Sequence, residues 1–167
     1  MKSYLSLIDT TTKGRYDVTP LFADPAAFSS LVSDLCEHFE SNAIDFVVGI
    51  DALGFILGTA IAQHMNKGFI PLRKKGKLPG PHFSTELFRD YSGLEKALEV
   101  RCDMASAKKK YLIVDEWVET GTQMKAAVTL LEEHGGIIAG IAAINIDENE
   151  KTDALTQKYN CYSVWQE

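Results

Sequence analysis

Tyr111 to Met124 constrains the fold more than any other stretch of this chain. An apolar run, Tyr111 to Val114, is fit for a buried strand and ends in two adjacent carboxylates, Asp115 and Glu116. A short Thr/Gly turn follows, then a helix-forming run from Thr122 to His134 that Gly135-Gly136 stops by allowing a left-handed C-cap. Ile137 to Ile146 reads as a second strand, so the unit is β-α-β and demands a parallel strand pair. Unpaired N–H groups at the helix start attract a phosphate. The Thr hydroxyls add donors, and Gly121 lets the backbone come close. Asp115 and Glu116 suit another part of the same ligand, either ribose hydroxyls or a hard cation such as Mg²⁺. The run therefore implies a place to hold a phosphorylated sugar.

The same alternation extends along the chain. Phe28, Leu31, Val32, Leu35, Cys36 and Phe39 recur at helical spacing, with Asp24 as N-cap and Pro25 at the first helical position. Asp45 to Ile50 reads as a strand covered on both faces. A helix from Phe55 to Met65, apolar nearly all round, is expected to be buried, and Gly68 to Leu72 reads as the next strand. A strand from Leu94 to Val100, a helix from Asp153 to Tyr159 and a strand from Cys161 to Val164 complete the reading. This pattern predicts an α/β fold, a central parallel sheet with helices on both faces. Ligands bind such sheets beyond the strands' carboxyl ends, where Asp51 and Asp115 both fall. Pro71 to Lys110 is the least regular stretch; Pro79-Gly80-Pro81 forbids a helix, and a mobile segment over about 73–93 is expected.

The chain's 167 residues suit a single domain over 1–167, and a hydrophobic fraction of 46% with 24% charged residues is that of a globular protein. Its apolar stretches are interrupted well short of the ~18 residues a membrane span needs. Met1 to Thr12 has neither a basic start nor an apolar core, so secretion is not expected. Cys36, Cys102 and Cys161 are odd in number and far apart, which points to reduced cytoplasmic thiols rather than a zinc site or disulfides. The four histidines show no metal-ligand spacing. A net charge of −6 argues against nucleic acid as a partner. Yet Arg73, Lys74, Lys75 and Lys77 form a basic run, which is either a solvated loop or the docking point of a small polyanion.

The acidic pair and its turn resemble the phosphoribosyl-pyrophosphate (PRPP) motif of type I phosphoribosyltransferases. Gly49-Ile50-Asp51-Ala52-Leu53-Gly54-Phe55, the basic Arg73 to Gly80 segment, and Tyr16-Asp17-Val18-Thr19-Pro20 with Asp24-Pro25 are similar to the adenine branch of that family. The resemblance spans about Arg15 to the C-terminus. It implies a type I phosphoribosyltransferase fold with a small hood from about 1–24 and the C-terminal residues. It also implies transfer of the 5-phosphoribosyl group from PRPP to a purine base, adenine foremost, in purine salvage. Mg²⁺ would be bound with PRPP and not held permanently, and the assembly would be a homodimer.

By this resemblance Glu119, Thr120, Gly121, Thr122 and Gln123 cradle the 5′-phosphate, and Asp115 and Glu116 hold the ribose hydroxyls or Mg²⁺. Asp51, Ala52, Leu53 and Gly54 form the pyrophosphate loop, with positive charge from Arg73, Lys74, Lys75 and Lys77. Tyr16, Asp17, Val18 and Trp117 face the base, and Glu119 or Asp90 handles its proton. Four places depart from the pattern: Leu53 and Tyr16 stand where Arg is usual, Thr122-Gln123 replaces Gly-Thr, and Asp90 replaces Glu. Glu119 is a general acid/base of the kind 6-oxopurine enzymes carry, or it complements the following helix start. Two alternatives therefore stand beside the adenine reading: an enzyme for a 6-oxopurine, and a PRPP- or nucleotide-binding regulatory protein without turnover.

Overall fold

A computed structural model describes residues 2–13, 16–89 and 93–165. Among the described residues, five helices and eleven strands follow a 3₁₀ turn at Ser3–Leu7. The helices are α1 (Thr19–Ala23), α2 (Pro25–His38), α3 (Leu53–His64), α4 (Thr122–Glu133) and α5 (Glu150–Lys158). The strands are β1 (Phe46–Ile50), β2 (Gly68–Lys74), β3 (His82–Ser84), β4 (Phe88–Arg89), β5 (Glu95–Lys96), β6 (Leu98–Arg101), β7 (Lys110–Val114), β8 (Trp117–Val118), β9 (Ile137–Ala143), β10 (Asn145–Ile146) and β11 (Cys161–Ser163).

The main sheet runs β11-β9-β7-β1-β2-β6-β3. Its first five strands are parallel, as the β-α-β pattern predicts. The central strands β1 and β7 have two covered faces, and their alternate side chains feed two cores. Leu112 and Val114 of β7 join Leu31 and Leu35 of α2 and Leu57 and Ile61 of α3. Tyr111 and Ile113 of the same strand join Ala127, Val128 and Leu131 of α4. Burying each such large apolar side chain contributes about 2 kcal/mol.

The central sheet is parallel as expected and carries an antiparallel extension at one edge: β2 outruns β1 and pairs antiparallel with β6, Arg73 opposite Glu99, and β6 pairs antiparallel with β3. Three other expectations need correction. Among its described residues the 71–110 stretch carries several short antiparallel strands, and the run read as one strand from Leu94 breaks at Ala97 into β5 and β6. Helix α3 is one-sided rather than enclosed: Leu57 and Ile61 are fully buried but Ile56 is 47% exposed. The strand expected to run to Ile146 ends at Ala143, because the Ile144 N–H turns aside to the Glu116 carbonyl at 3.0 Å. That turn lets β10 pair with β8, directly beside the acidic pair.

Candidate active site

Strand order reverses between β1 and β7: from β1 the chain moves to β2 on one side, and β7 returns on the other. The loops after β1 and β7 therefore diverge around a crevice at the sheet's carboxyl edge. Gly54 sets how near they stay. A Cβ there would lie 2.7 Å from the Val114 carbonyl oxygen, so only glycine lets the start of α3 lie against the end of β7. The resulting cleft, about 170 Å³, is lined by Asp51, Ala52 and Leu53 from one loop and by residues of the 115–124 turn from the other.

Asp115 and Glu116 are 6% and 5% exposed at its floor. Asp115 is fixed at both oxygens: Oδ1 accepts from the Glu116 N–H at 3.0 Å and Oδ2 from Gln123 Nε2 at 3.2 Å. The glutamine that departs from the family pattern thus orients the first acid. Gly121 takes φ 71° and serves as N-cap of α4, which has no side-chain cap and no acidic residue in its first turn. The Thr122 N–H makes a long bond to Thr120 Oγ1 at 3.4 Å, and the N-cap offers no side chain to the N–H groups that follow, an arrangement that suits an anion. The contrast is with α5, where Asn149 and Thr152 form a full capping box.

Positive charge reaches the cleft from two strands, β2 and β5. Lys74 stands at the end of β2 with Nζ 3.8 Å from Asp51 Oδ1, and Arg73 Nε is 3.9 Å from Asp51 Oδ2. Lys96 of β5 also lines the cleft. Sequence reasoning missed Lys96, since no local motif marks it; the antiparallel pairing of β4 with β5 carries it there. The peptide between Asp51 and Ala52 is cis.

The structure gathers Asp51, Ala52, Leu53, Lys74, Asp115, Glu116, Trp117, Glu119, Thr120, Gly121 and Gln123 around one cleft. Others fall outside its lining. Gly54 is buried beneath it, Arg73 is half-buried, and Lys75 and Lys77 are exposed on the turn beyond β2. Thr122 lies one position behind the lining, its hydroxyl near Thr120 Oγ1. Val18 is 2% exposed in the core, and the Asp17 carboxylate accepts from the Thr19 N–H at 2.8 Å. Tyr16 meets Trp117 edge-on at 5.5 Å, and Trp165 packs on both. The Trp117 indole N–H donates to Asp147 Oδ1 at 2.8 Å, which sets the plane of its ring at the cleft wall. Asp90 lies outside the described residues. Among the described residues, no group of three or more His, Cys, Asp or Glu side chains could hold a metal by itself, and no helix is long and apolar enough to cross a membrane.

Comparison with known proteins gives the same reading from an independent side. The family profile for the phosphoribosyl transferase domain matches residues 24–165. Adenine phosphoribosyltransferase of Cereibacter sphaeroides strain KD131 is 41% identical over 128 residues, 77% of this chain and 71% of that protein. Among solved structures, adenine phosphoribosyltransferase from Thermoanaerobacter pseudethanolicus superposes with TM-score 0.85 at 28% identity, covering 96% of each chain. The Giardia lamblia enzyme complexed with 9-deazaadenine gives TM-score 0.85 at 30% identity, over 96% of this chain and 94% of that one. On this fold, this switch-point cleft and these relatives, the chain belongs to the phosphoribosyl transferase domain family, among the adenine phosphoribosyltransferases.

Proposed function

We propose that the cleft transfers the 5-phosphoribosyl group of PRPP to adenine, releasing pyrophosphate, as a step of purine salvage. One observation carries this reading: the uncapped start of α4, the buried Asp115–Glu116 pair and the cations Lys74 and Lys96 all open onto a single cleft. A phosphate, a ribose and a pyrophosphate need these three chemistries side by side. Adenine as the base is supported by relatives that bear the name adenine phosphoribosyltransferase and by a neighbour complexed with 9-deazaadenine.

In the reaction a ring nitrogen of the base bonds to ribose C1 while the bond from C1 to pyrophosphate breaks. The base loses one proton. Positive charge grows on the ribose and negative charge on the leaving group, so positioning and fixed charge dominate the catalysis. The Gly121 turn and the first turn of α4 anchor the 5′-phosphate. Asp115 and Glu116 hold the ribose hydroxyls beneath the developing cation, and Lys74 and Lys96 face the departing pyrophosphate. The hard carboxylates Asp115 and Glu116 fit Mg²⁺ shared with PRPP oxygens, which would neutralise charge on the diphosphate. In this reading Glu119, one of the residues that line the cleft, accepts the proton of the base.

Calorimetric titration of PRPP with Mg²⁺ tests the reading. Asp115→Asn with Glu116→Gln should weaken binding about ten-fold and slow turnover as well. Wild-type affinity in that double variant would remove the acidic pair from the PRPP site.

A further inference from the structure

We infer that Lys151, on α5 and far in sequence from the turn, is a ligand of the 5′-phosphate and completes its pocket from the outer side. This rests on the phosphoribosyl reading above and adds to it a cation that the turn itself lacks. Two contacts bring the first turn of α5 against the phosphate turn. The Asn149 amide donates from Nδ2 to the Glu119 carbonyl at 2.8 Å. A Cβ on Gly121 would lie 3.4 Å from the carbonyl carbon of Lys151 and 3.2 Å from Thr152 Cγ2, so the two backbones are in close apposition.

From there the Lys151 side chain reaches back across the turn, and its ammonium donates to Thr122 Oγ1 at 3.2 Å. The position is locally unfavourable for a cation. Lys151 is in the first turn of a helix, where the macrodipole favours negative charge, and Glu150 and Asp153 occupy that turn as expected. Among the described residues its ammonium bonds to a hydroxyl and pairs with no carboxylate. An ammonium has three donors, and the bond to Thr122 uses one.

Thr122 links this cation to the anion site. Its Oγ1 accepts from both Thr120 Oγ1 at 3.2 Å and Lys151 Nζ at 3.2 Å, which leaves the Thr122 hydroxyl proton to be donated onward. Thr122 is the first residue of α4, at the mouth of the uncapped N–H groups. A phosphate on those groups therefore lies within reach of the Thr122 hydroxyl and of the remaining Lys151 donors. Charge-assisted bonds of this kind are about twice as strong as neutral ones.

The test compares AMP, adenosine and pyrophosphate binding in wild type, Lys151→Met and Lys151→Arg. Methionine keeps an unbranched side chain of similar bulk, one heavy atom shorter, and removes the ammonium with its charge and its donors; thermal melting verifies the fold. Loss of this charge-assisted contact should weaken AMP binding about ten-fold. Adenosine and pyrophosphate binding should not change, KM for PRPP should rise with little change in kcat, and arginine should restore much of the loss. AMP binding in Lys151→Met equal to wild type, or an equal loss for adenosine, would overturn the assignment while leaving the phosphoribosyl reading intact. Wild-type protein that binds neither AMP nor PRPP would overturn both.

Discussion

Gly121 holds φ 71°, and a Cβ there would press on Thr152 Cγ2 at 3.2 Å. Gly121→Ala should cost about 1–2 kcal/mol through the left-handed backbone alone, lowering Tm by roughly 2–8 °C. It should also raise KM for PRPP, because the turn that presents the N–H groups would open. A variant with wild-type Tm and KM would show that the turn tolerates a side chain. Lys96 offers a complementary case in the cleft lining. Lys96→Met should raise KM for PRPP and weaken pyrophosphate about ten-fold, while adenine binding stays near wild type. Steady-state kinetics in both directions would measure this, and an unchanged pyrophosphate affinity would remove Lys96 from that role. The two residues differ in how readable they were. Gly121, Asp115 and Glu116 sit in one contiguous run whose chemistry is local. Lys96 reaches the cleft only through strand pairing with β4, which leaves no mark in the spacing of residues.

At the level of elements, the capping box of α5 is the joint that fixes the phosphate turn from behind. Asn149 accepts from the N–H groups of Lys151 and Thr152 with Oδ1 while its Nδ2 donates to the Glu119 carbonyl. Asn149→Ala should destabilise the fold by about 1 kcal/mol through loss of the cap. Because the same residue ties α5 to the turn, PRPP affinity should drop with it; denaturant melts and PRPP titration together would show both effects. Elements whose signals are periodic or punctuated were legible: α2 from its apolar stripe and Asp24 cap, α4 from its flanking glycines, and β1 and β7 from short apolar runs. The break of the β9 run at Ile144 was not, since it comes from a bond to Glu116 nearly thirty residues away. The antiparallel extension of the sheet was hidden for the same reason: residues 71–110 carry turn signals at each step, and nothing local says which strand each piece will join.

For the whole molecule, the alternation of strands and helices gave the parallel sheet, and the sheet's reversal between β1 and β7 gave the cleft. What closes the molecule at its N-terminus is a polar joint that no pattern announced. Tyr4 is 6% exposed and its hydroxyl donates to Asp34 Oδ2 at 2.6 Å; the Lys2 ammonium lies 2.9 Å from the same oxygen. Burial alone would raise the Asp34 carboxyl, but the bonds from Tyr4 and Lys2 outweigh it and hold the group below its ordinary value. A carboxyl depressed in the folded state stabilises above its unfolded pKa, and that contribution is lost as pH falls through the folded value. Wild type should therefore melt above Asp34→Asn at neutral pH, and the gap should close as pH falls below about 4. A gap that is constant with pH would mean that the joint is held by packing alone.

Pyrophosphate release from PRPP and Mg²⁺, measured separately with adenine, hypoxanthine, guanine and xanthine, tests the central claim most directly. Release that depends on adenine, with AMP as the co-product, is the predicted result. Release only with a 6-oxopurine, or none with any base from a protein that still binds PRPP, would contradict it.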